Sequence, residues 1–324
     1  MSLPDGLQGA VAAWLAQSQD NGSRRTGSAA LSATYRAGGS SARIDLGAYL
    51  VARLPATFAA VDRVLSELAG RRPGFLPASL LDAGSGPGTA SWAALEHWPS
   101  LQSVTFLDTS APFLELATGL ARQGAAPLRD ARAMLGSLLA LPDGCAADLV
   151  VAAYALAELP AEQAVRAVEG LWRASRQVLV LVEPGTPQGF ARLRAARHGL
   201  LAQGAVPVAP CTHALACPVS GEDWCHFSVR LARSRAHMHA KGASVPFEDE
   251  RFAYLVLARD GTPCGGGRIV APAQQAKPGI SFRLCMQGRL EVRHVARRAG
   301  AAYKVARKLE WGDLFDPANE EDTL

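Results

Sequence analysis

Three of the six cysteines fall within fifteen residues, as Cys211, Cys217 and Cys225 in the run Pro210-Cys-Thr-His-Ala-Leu-Ala-Cys-Pro-Val-Ser-Gly-Glu-Asp-Trp-Cys-His-Phe227. Their spacing is C-x5-C-x7-C, with His213, His226, Pro210 and Pro218 among them. Thiolates are soft ligands. At this density, in a chain expected to stay in a reducing compartment, they point to a metal or iron–sulfur centre rather than to disulfides or idle thiols. Three cysteines leave a four-ligand cage incomplete. Cys145 lies in the distant turn Pro142-Asp-Gly-Cys145 and reads as an incidental thiol. Cys264 stands in a glycine-rich loop, whereas Cys285 ends a predicted strand. A strand end holds a ligand more rigidly, so Cys285 is the expected fourth ligand and Cys264 the alternative. Structural zinc favours short Cys-x2–4-Cys hairpins. The wider gaps here suit a [4Fe–4S] cluster bound by four cysteines, with a Cys3His zinc site through His213 or His226 as the alternative.

A second constellation is Asp82-Ala-Gly84-Ser-Gly86-Pro-Gly88-Thr89. Glycines between a strand and a helix let the backbone approach a nucleoside-type ligand, and the helix start offers free N–H groups. Asp108 ends the next predicted strand, at about the offset from which an acid reaches ribose hydroxyls. The dinucleotide pattern G-x-G-x-x-G fails at its third glycine, where Thr89 stands. Asp-x-Gly-x-Gly-x-Gly instead resembles the first motif of class I S-adenosylmethionine (SAM) methyltransferases. In that resemblance Asp82, Gly84, Gly86 and Gly88 line the methionine side of SAM and Asp108 takes the ribose. A Rossmann-like turn without a ligand is the plain alternative. The end of the fourth predicted strand, Ala153-Tyr154-Ala-Leu-Ala-Glu158, lacks an Asn-Pro-Pro-Tyr-type clamp. Its only polar groups, Tyr154 and Glu158, read as packing and as helix N-terminal charge, so no catalytic residue is assigned.

These groups need a scaffold, and the hydropathy pattern supplies one. Apolar strands are expected at 79–84, 103–108, 147–154 and 177–185, alternating with helices at 89–97, 112–123 and 161–174. That order implies a parallel sheet covered on both faces. Helical spacing from Leu50 to Leu68 predicts an N-terminal helical region over residues 1–75, with a Gly/Ser-rich break at 22–41 and a new helix starting near Pro55. The expected class is α/β: a class I methyltransferase (Rossmann-like) core at 76–190, and a basic cysteine-rich insertion at 191–250 that opens with a helix at 190–201. Over 251–324, strands at 251–257, 280–285 and 290–295 complete the core, and 260–279 forms a loop.

The net charge of +4 conceals an asymmetry. Residues 186–245 carry net +5 and residues 280–310 net +6, so the rest of the chain sums to −7. Basic segments of this kind fit a polyanion, most simply nucleic acid. The N-terminus has no basic n-region and no run approaches membrane-spanning length, so a cytoplasmic location away from membranes is expected. The oligomeric state is not legible.

Several stretches together resemble the methyltransferase-like small-ribosomal-subunit protein family of mitochondria and some bacteria. They are Arg53-Leu-Pro-Ala-Thr57, Leu80-Leu-Asp-Ala-Gly-Ser-Gly-Pro-Gly-Thr89, the cysteine run, Leu284-Cys285, and Ala306-Arg-Lys-Leu-Glu-Trp-Gly-Asp-Leu314. The resemblance implies a methyltransferase-like core, a [4Fe–4S] cluster on Cys211, Cys217, Cys225 and Cys285, and association with small-subunit rRNA. The expected function is a SAM-binding, iron–sulfur-containing protein acting on or with that rRNA. The alternatives are an inactive rRNA-binding assembly factor and a zinc-bearing small-molecule methyltransferase.

Overall fold

The computed structural model describes residues 3–18, 45–233, 237–238 and 244–315; the expected break at 22–41 lies outside them. Helix α1 (Asp5–Gln17) is followed by α2 (Leu46–Ala52), whose first turn is capped by Asp45 accepting from the Ala48 N–H at 3.0 Å. Helix α3 (Leu54–Arg71) starts where Pro55 predicts, because a first-turn proline forfeits no helical hydrogen bond. Leu54, Phe58, Val61, Val64, Leu65 and Leu68 form its buried stripe.

The core then alternates strand and helix: β1 (Ser79–Ala83), α4 (Thr89–His97), β2 (Ser103–Asp108), α5 (Ala111–Ala121), α6 (Ala126–Arg129), β3 (Arg132–Leu135), β4 (Ala147–Ala153), α7 (Ala161–Ala174), β5 (Ser175–Pro184) and α8 (Pro187–Leu201). Next come β6 (Val206–Ala209), β7 (Phe227–Ala232) and β8 (Phe247–Ala258). The main sheet runs β3-β2-β1-β4-β5-β8-β6, with β7 also paired to β8. Strands β1 to β5 are parallel, and β8 is antiparallel to β5, β6 and β7. The order 3-2-1-4-5 is that of a doubly wound sheet, here extended by an antiparallel strand. The chain therefore has an α/β, Rossmann-like, doubly wound architecture.

Alternation along the central strands explains the double cover. In β5, Val178, Val180 and Val182 join the apolar cluster beneath α1 to α5, while Leu179 and Leu181 join the cluster beneath α7 and α8. Period-two alternation sends successive side chains to opposite faces, and both faces carry helices.

The C-terminal expectation needs correction. Only β8 enters the main sheet. Beyond it, β9 (Gly267–Ile269), β10 (Gln274–Ala276), β11 (Gly279–Met286), β12 (Arg289–Ala296), helix α9 (Ala301–Ala306) and β13 (Leu314–Phe315) build a second sheet, in which β10-β11-β9-β13 are neighbours and β12 pairs β11. This sheet has its own apolar cluster around Ile269, Ile280, Phe282, Leu284 and Phe315. The stretch 260–279, expected as a loop, contributes two of its strands. The segment 191–250 is likewise not a plain insertion, since it carries most of α8, all of β6 and β7, and the start of β8.

The two candidate centres lie at the same, carboxyl, end of the main sheet's strands. Strands β5 and β6 both run antiparallel to β8, so their carboxyl ends point the same way. Cys211 follows the end of β6, and Cys225 immediately precedes β7, which pairs with the overhanging half of β8.

Candidate functional site

The glycine turn is built as the sequence predicts. Gly84, Gly86 and Gly88 all have positive φ (71°, 51° and 79°), a region closed to most side chains. A Cβ on Gly84 would lie 2.4 Å from the Ala155 Cβ, and one on Gly88 would lie 3.0 Å from the Phe106 ring. Asp108 receives the Gly86 N–H on one oxygen and the Ser110 N–H on the other, each at 2.8 Å. Burial raises its ionisation above the ordinary carboxylate value, and the backbone hydrogen bonds hold it back. Gly84, Gly86 and Asp108 line a cleft with Tyr49, Phe113 and Tyr154.

Asp82 does not line that cleft. Its carboxylate accepts from the Ser91 N–H and hydroxyl at 3.0 and 2.8 Å, inside the first turns of α4. In β1, Leu81 faces the cluster beneath α7 and α8. Asp82 must therefore turn the other way, behind the glycine turn. Gly88 also backs onto the core. Burial pushes the Asp82 carboxyl up to about 7, against the Ser91 hydrogen bonds and helped by Asp108. The folded state thus holds a proton there that the unfolded chain releases between 3.8 and about 7, so this group's contribution to stability falls as pH rises through that window. Chemical denaturation of Asp82→Asn is expected to show a flatter pH dependence than wild type across the window, by on the order of a few kcal/mol. Parallel curves would exclude Asp82 as the titrating group.

At the end of β4 the chain presents no free polar group. Tyr154 takes φ 62° and is 5% exposed. Its hydroxyl donates to Glu250 Oε1 at 2.9 Å, Arg53 pairs with the same oxygen at 3.4 Å, and the Arg53 guanidinium lies over the Tyr154 ring at 5.0 Å. Burial, then the Glu250 charge, holds the phenol well above its ordinary value. Glu158 sits in the single turn Leu156–Glu158 at the cleft mouth rather than on a longer helix.

Of the four expected ligands, Cys211, Cys217 and Cys225 lie on the connection between β6 and β7 and Cys285 on β11, and the four are near enough to influence one another's ionisation. Burial, followed by Cys211, Cys285 and Cys217, drives the Cys225 thiol well above its ordinary value. Cys285 is pushed up to about 12 by burial, then by Cys211 and Cys217, with Arg197 and Arg268 opposing. Cys211 is also raised, by burial first, while Arg197 pulls it down. None of the four is in a disulfide. Among the described residues, no group of three or more His, Cys, Asp or Glu is set to hold a single metal ion. Cys264 is exposed and accepts from Arg71 Nη1 at 2.9 Å, while the next residue, Gly265, donates to the Thr212 carbonyl beside Cys211 at 3.1 Å. Cys145 is buried, 3.9 Å from the Met134 sulfur. His213 Nε2 is 3.6 Å from the Cys285 sulfur. His226 stacks on Trp224 at 5.2 Å and meets the edge of Trp311 at 4.9 Å.

Two buried arginines flank the thiols, and composition could not reveal them. Arg197, counted in the sequence among surface cations, is 6% exposed. Its Nη2 donates to the carbonyls of His213 and Leu215, each at 2.8 Å. A signal existed: residues 193, 196, 197 and 200 form one helical stripe, and Leu193, Ala196 and Leu200 are all apolar. Arg268 is 1% exposed, pairs with Glu67 at 2.8 Å and donates to the Pro210 carbonyl at 2.8 Å.

The first basic segment is largely spent on structure. Arg192, Arg230 and Arg233 pair with Glu183, Asp249 and Glu248, and Arg197 is buried. Arg235 and Lys241 lie outside the described residues. In the second segment, Arg283 pairs with Asp223 and Arg293 with Glu291. Arg289, Arg297, Arg298, Lys304, Arg307 and Lys308 are exposed and make no ion pair among the described residues. Val292 and Val305 are exposed on the same segment. No helix among the described residues is long and apolar enough to cross a membrane.

Comparison with known proteins adds three findings. The family described as mitochondrial small ribosomal subunit Rsm22 matches residues 43–316. The human protein named ribosome assembly protein METTL17, mitochondrial, is 32% identical over 301 residues, covering 85% of this chain and 65% of its own length. A fission-yeast Rsm22-cox11 tandem protein, also mitochondrial, is 26% identical over 327 residues, covering 83% of this chain and 42% of its own. The chain thus spans less than two thirds of these relatives. Among solved structures, magnesium protoporphyrin IX methyltransferase from Synechocystis superposes with a TM-score of 0.44 at 18% identity, covering 72% of this chain and 95% of that one.

Proposed function

The chain belongs to the mitochondrial small ribosomal subunit Rsm22 family, and from that premise we propose that it is a methyltransferase-like assembly protein that binds small-subunit rRNA. The observation that carries this reading is the exposed surface of Arg297, Arg298, Lys304, Arg307 and Lys308, none paired among the described residues. Cations left unpaired on a folded surface are available to phosphates, whereas among the described residues of the first segment Arg192, Arg230 and Arg233 are held in ion pairs and Arg197 is buried. The name of the human relative, a ribosome assembly protein, supports the same direction.

In this reading Cys211, Cys217, Cys225 and Cys285 hold a [4Fe–4S] cluster. The donor set fits: four cysteines outside any disulfide influence one another's ionisation, and four soft thiolates are what such a cluster takes. The cluster's chemistry here is to cross-link, because three ligands flank β6 and β7 while Cys285 belongs to the second sheet. It would thereby fix the cationic surface on the core.

A second reading, SAM binding, is favoured by the positive-φ glycines and by Asp108 at the cleft. The residue types fit SAM. The enclosed part of the cleft, about 90 Å³, is below the roughly 300 Å³ at which small-molecule pockets begin. Methyl transfer has no support at β4, where the Tyr154 hydroxyl is committed to Glu250.

The test is a titration of small-subunit rRNA at several salt concentrations. Affinity that falls steeply with salt is expected, because phosphate contacts release counterions; a flat response would remove the proposal. For the second reading, calorimetry with SAM is expected to give binding that weakens by roughly tenfold or more in Asp108→Ala, the scale of a lost charge-assisted hydrogen bond. No heat with wild type would reject it.

A further inference from the structure

A buried guanidinium normally faces a carboxylate, and Arg197 does not. Its side chain lies on the apolar stripe of α8 between Leu193 and Leu200, and the residue is 6% exposed. Its Nη2 donates to the His213 and Leu215 carbonyls, and the guanidinium also reaches the Cys211 thiol. Its Nε, also buried, has no acceptor. Arg268 differs, since Glu67 offsets its charge. A cation taken out of water without an anion is costly, and sequences rarely keep one without a compensating charge. The two carbonyls it grips, His213 and Leu215, lie within the loop between Cys211 and Cys217, so the guanidinium sits against the segment that carries two of the expected ligands.

We propose that Arg197 is the buried counter-cation of the cysteine centre, holding its loop by two carbonyls and offsetting the charge of the bound cluster. This rests on the cluster reading given above. Four thiolates around a cubane make a dianion in the oxidised state, and one further electron adds to that charge. Net charge and hydrogen bonds to sulfur set the potential of such clusters. Arg197 therefore stabilises the reduced form more than the oxidised one and raises the midpoint potential.

The test uses full-length, cluster-loaded protein with Arg197→Met and Arg197→Lys. Iron and sulfide per chain are measured first. The midpoint is then found by titration with dithionite, which supplies the electron; the cluster accepts it and no proton is taken up. Arg197→Met is expected to keep iron but to show at least a tenfold shift in the redox equilibrium toward the oxidised form, a midpoint about 59 mV lower for one electron. Arg197→Lys keeps the charge and is expected to stay close to wild type. Stripped of iron, Arg197→Met is expected to melt no lower than stripped wild type, because the uncompensated cation has gone.

Equal midpoints in all three loaded proteins would overturn the counter-cation while leaving the cluster intact. Loss of iron from Arg197→Lys as well as Arg197→Met would also overturn it, since the carbonyl fork rather than the charge would then be the requirement. Loss from Arg197→Met alone would support it. Wild type without iron would bring down the cluster reading and this proposal together, a result distinct from the others.

Discussion

Replacing Cys285 with serine is expected to empty the centre of iron, whereas replacing Cys264 is expected to leave it loaded. The two residues are alternatives in the sequence, and their surroundings differ. Cys285 is on β11, opposite Arg268 of β9, and its thiol is raised by Cys211 and Cys217. Cys264 is exposed and held by Arg71. A serine hydroxyl is a poor ligand for iron, so one lost thiolate opens a four-ligand cage. Because such a centre links β11 to the loop before β7, its loss also costs stability. Metal binding to small structural sites contributes on the order of 10 kcal/mol to folding. A loss of even about 3 kcal/mol would lower the melting temperature of a chain this size by roughly 4 to 5 °C. Iron analysis and thermal melts of the two variants, purified without oxygen, measure both effects. Retention of iron by Cys285→Ser, or its loss from Cys264→Ser, would reassign the fourth ligand.

How far the sequence reveals this molecule depends on where each residue sits. Strands β1, β2, β4 and β5 were legible because central strands, buried on both faces, must be near-continuous apolar runs. Short β6, β9 and β10 were not, since three or four residues carry no period, and β6 includes Pro207. The alternation in β11 and β12 correctly marks strands with one buried face. It cannot say which sheet they join, and they form their own around Phe282 and Leu284. Asp82 shows a similar limit. Its place in the glycine motif suggests ligand contact, yet the pleat of β1 turns it inward to Ser91. Arg197 shows the reverse: charge alone suggests solvent, and the helical stripe buries it. The Tyr154–Glu250–Arg53 group joins residues far apart in the chain and had no sequence signal.

A variant with Arg297, Arg298, Lys304, Arg307 and Lys308 all changed to glutamine is expected to lose most of its salt-sensitive rRNA binding. Each phosphate contact contributes about 0.7 to 0.9 to the slope of log K against log salt. Five such contacts account for a slope of about 4, so between about 50 and 200 mM salt they carry a several-hundred-fold change in affinity. The variant's slope should be shallower by that amount, with the largest affinity loss at low salt. Folding should be little affected, because all five side chains are exposed and form no ion pairs among the described residues. The control is Arg230→Gln. Arg230 is also exposed but bound by Asp249 at 2.7 and 2.8 Å, so its removal should leave the slope unchanged. A slope reduction in Arg230→Gln of about one fifth of that in the five-residue variant, the same per charge, would mean that net charge, rather than this surface, attracts the RNA. An unchanged slope in the five-residue variant would move the interface away from the second sheet. The expected contrast depends on pairing rather than on charge count, since both basic segments have similar net charge and, among the described residues, only the second leaves most of its cations free for phosphate.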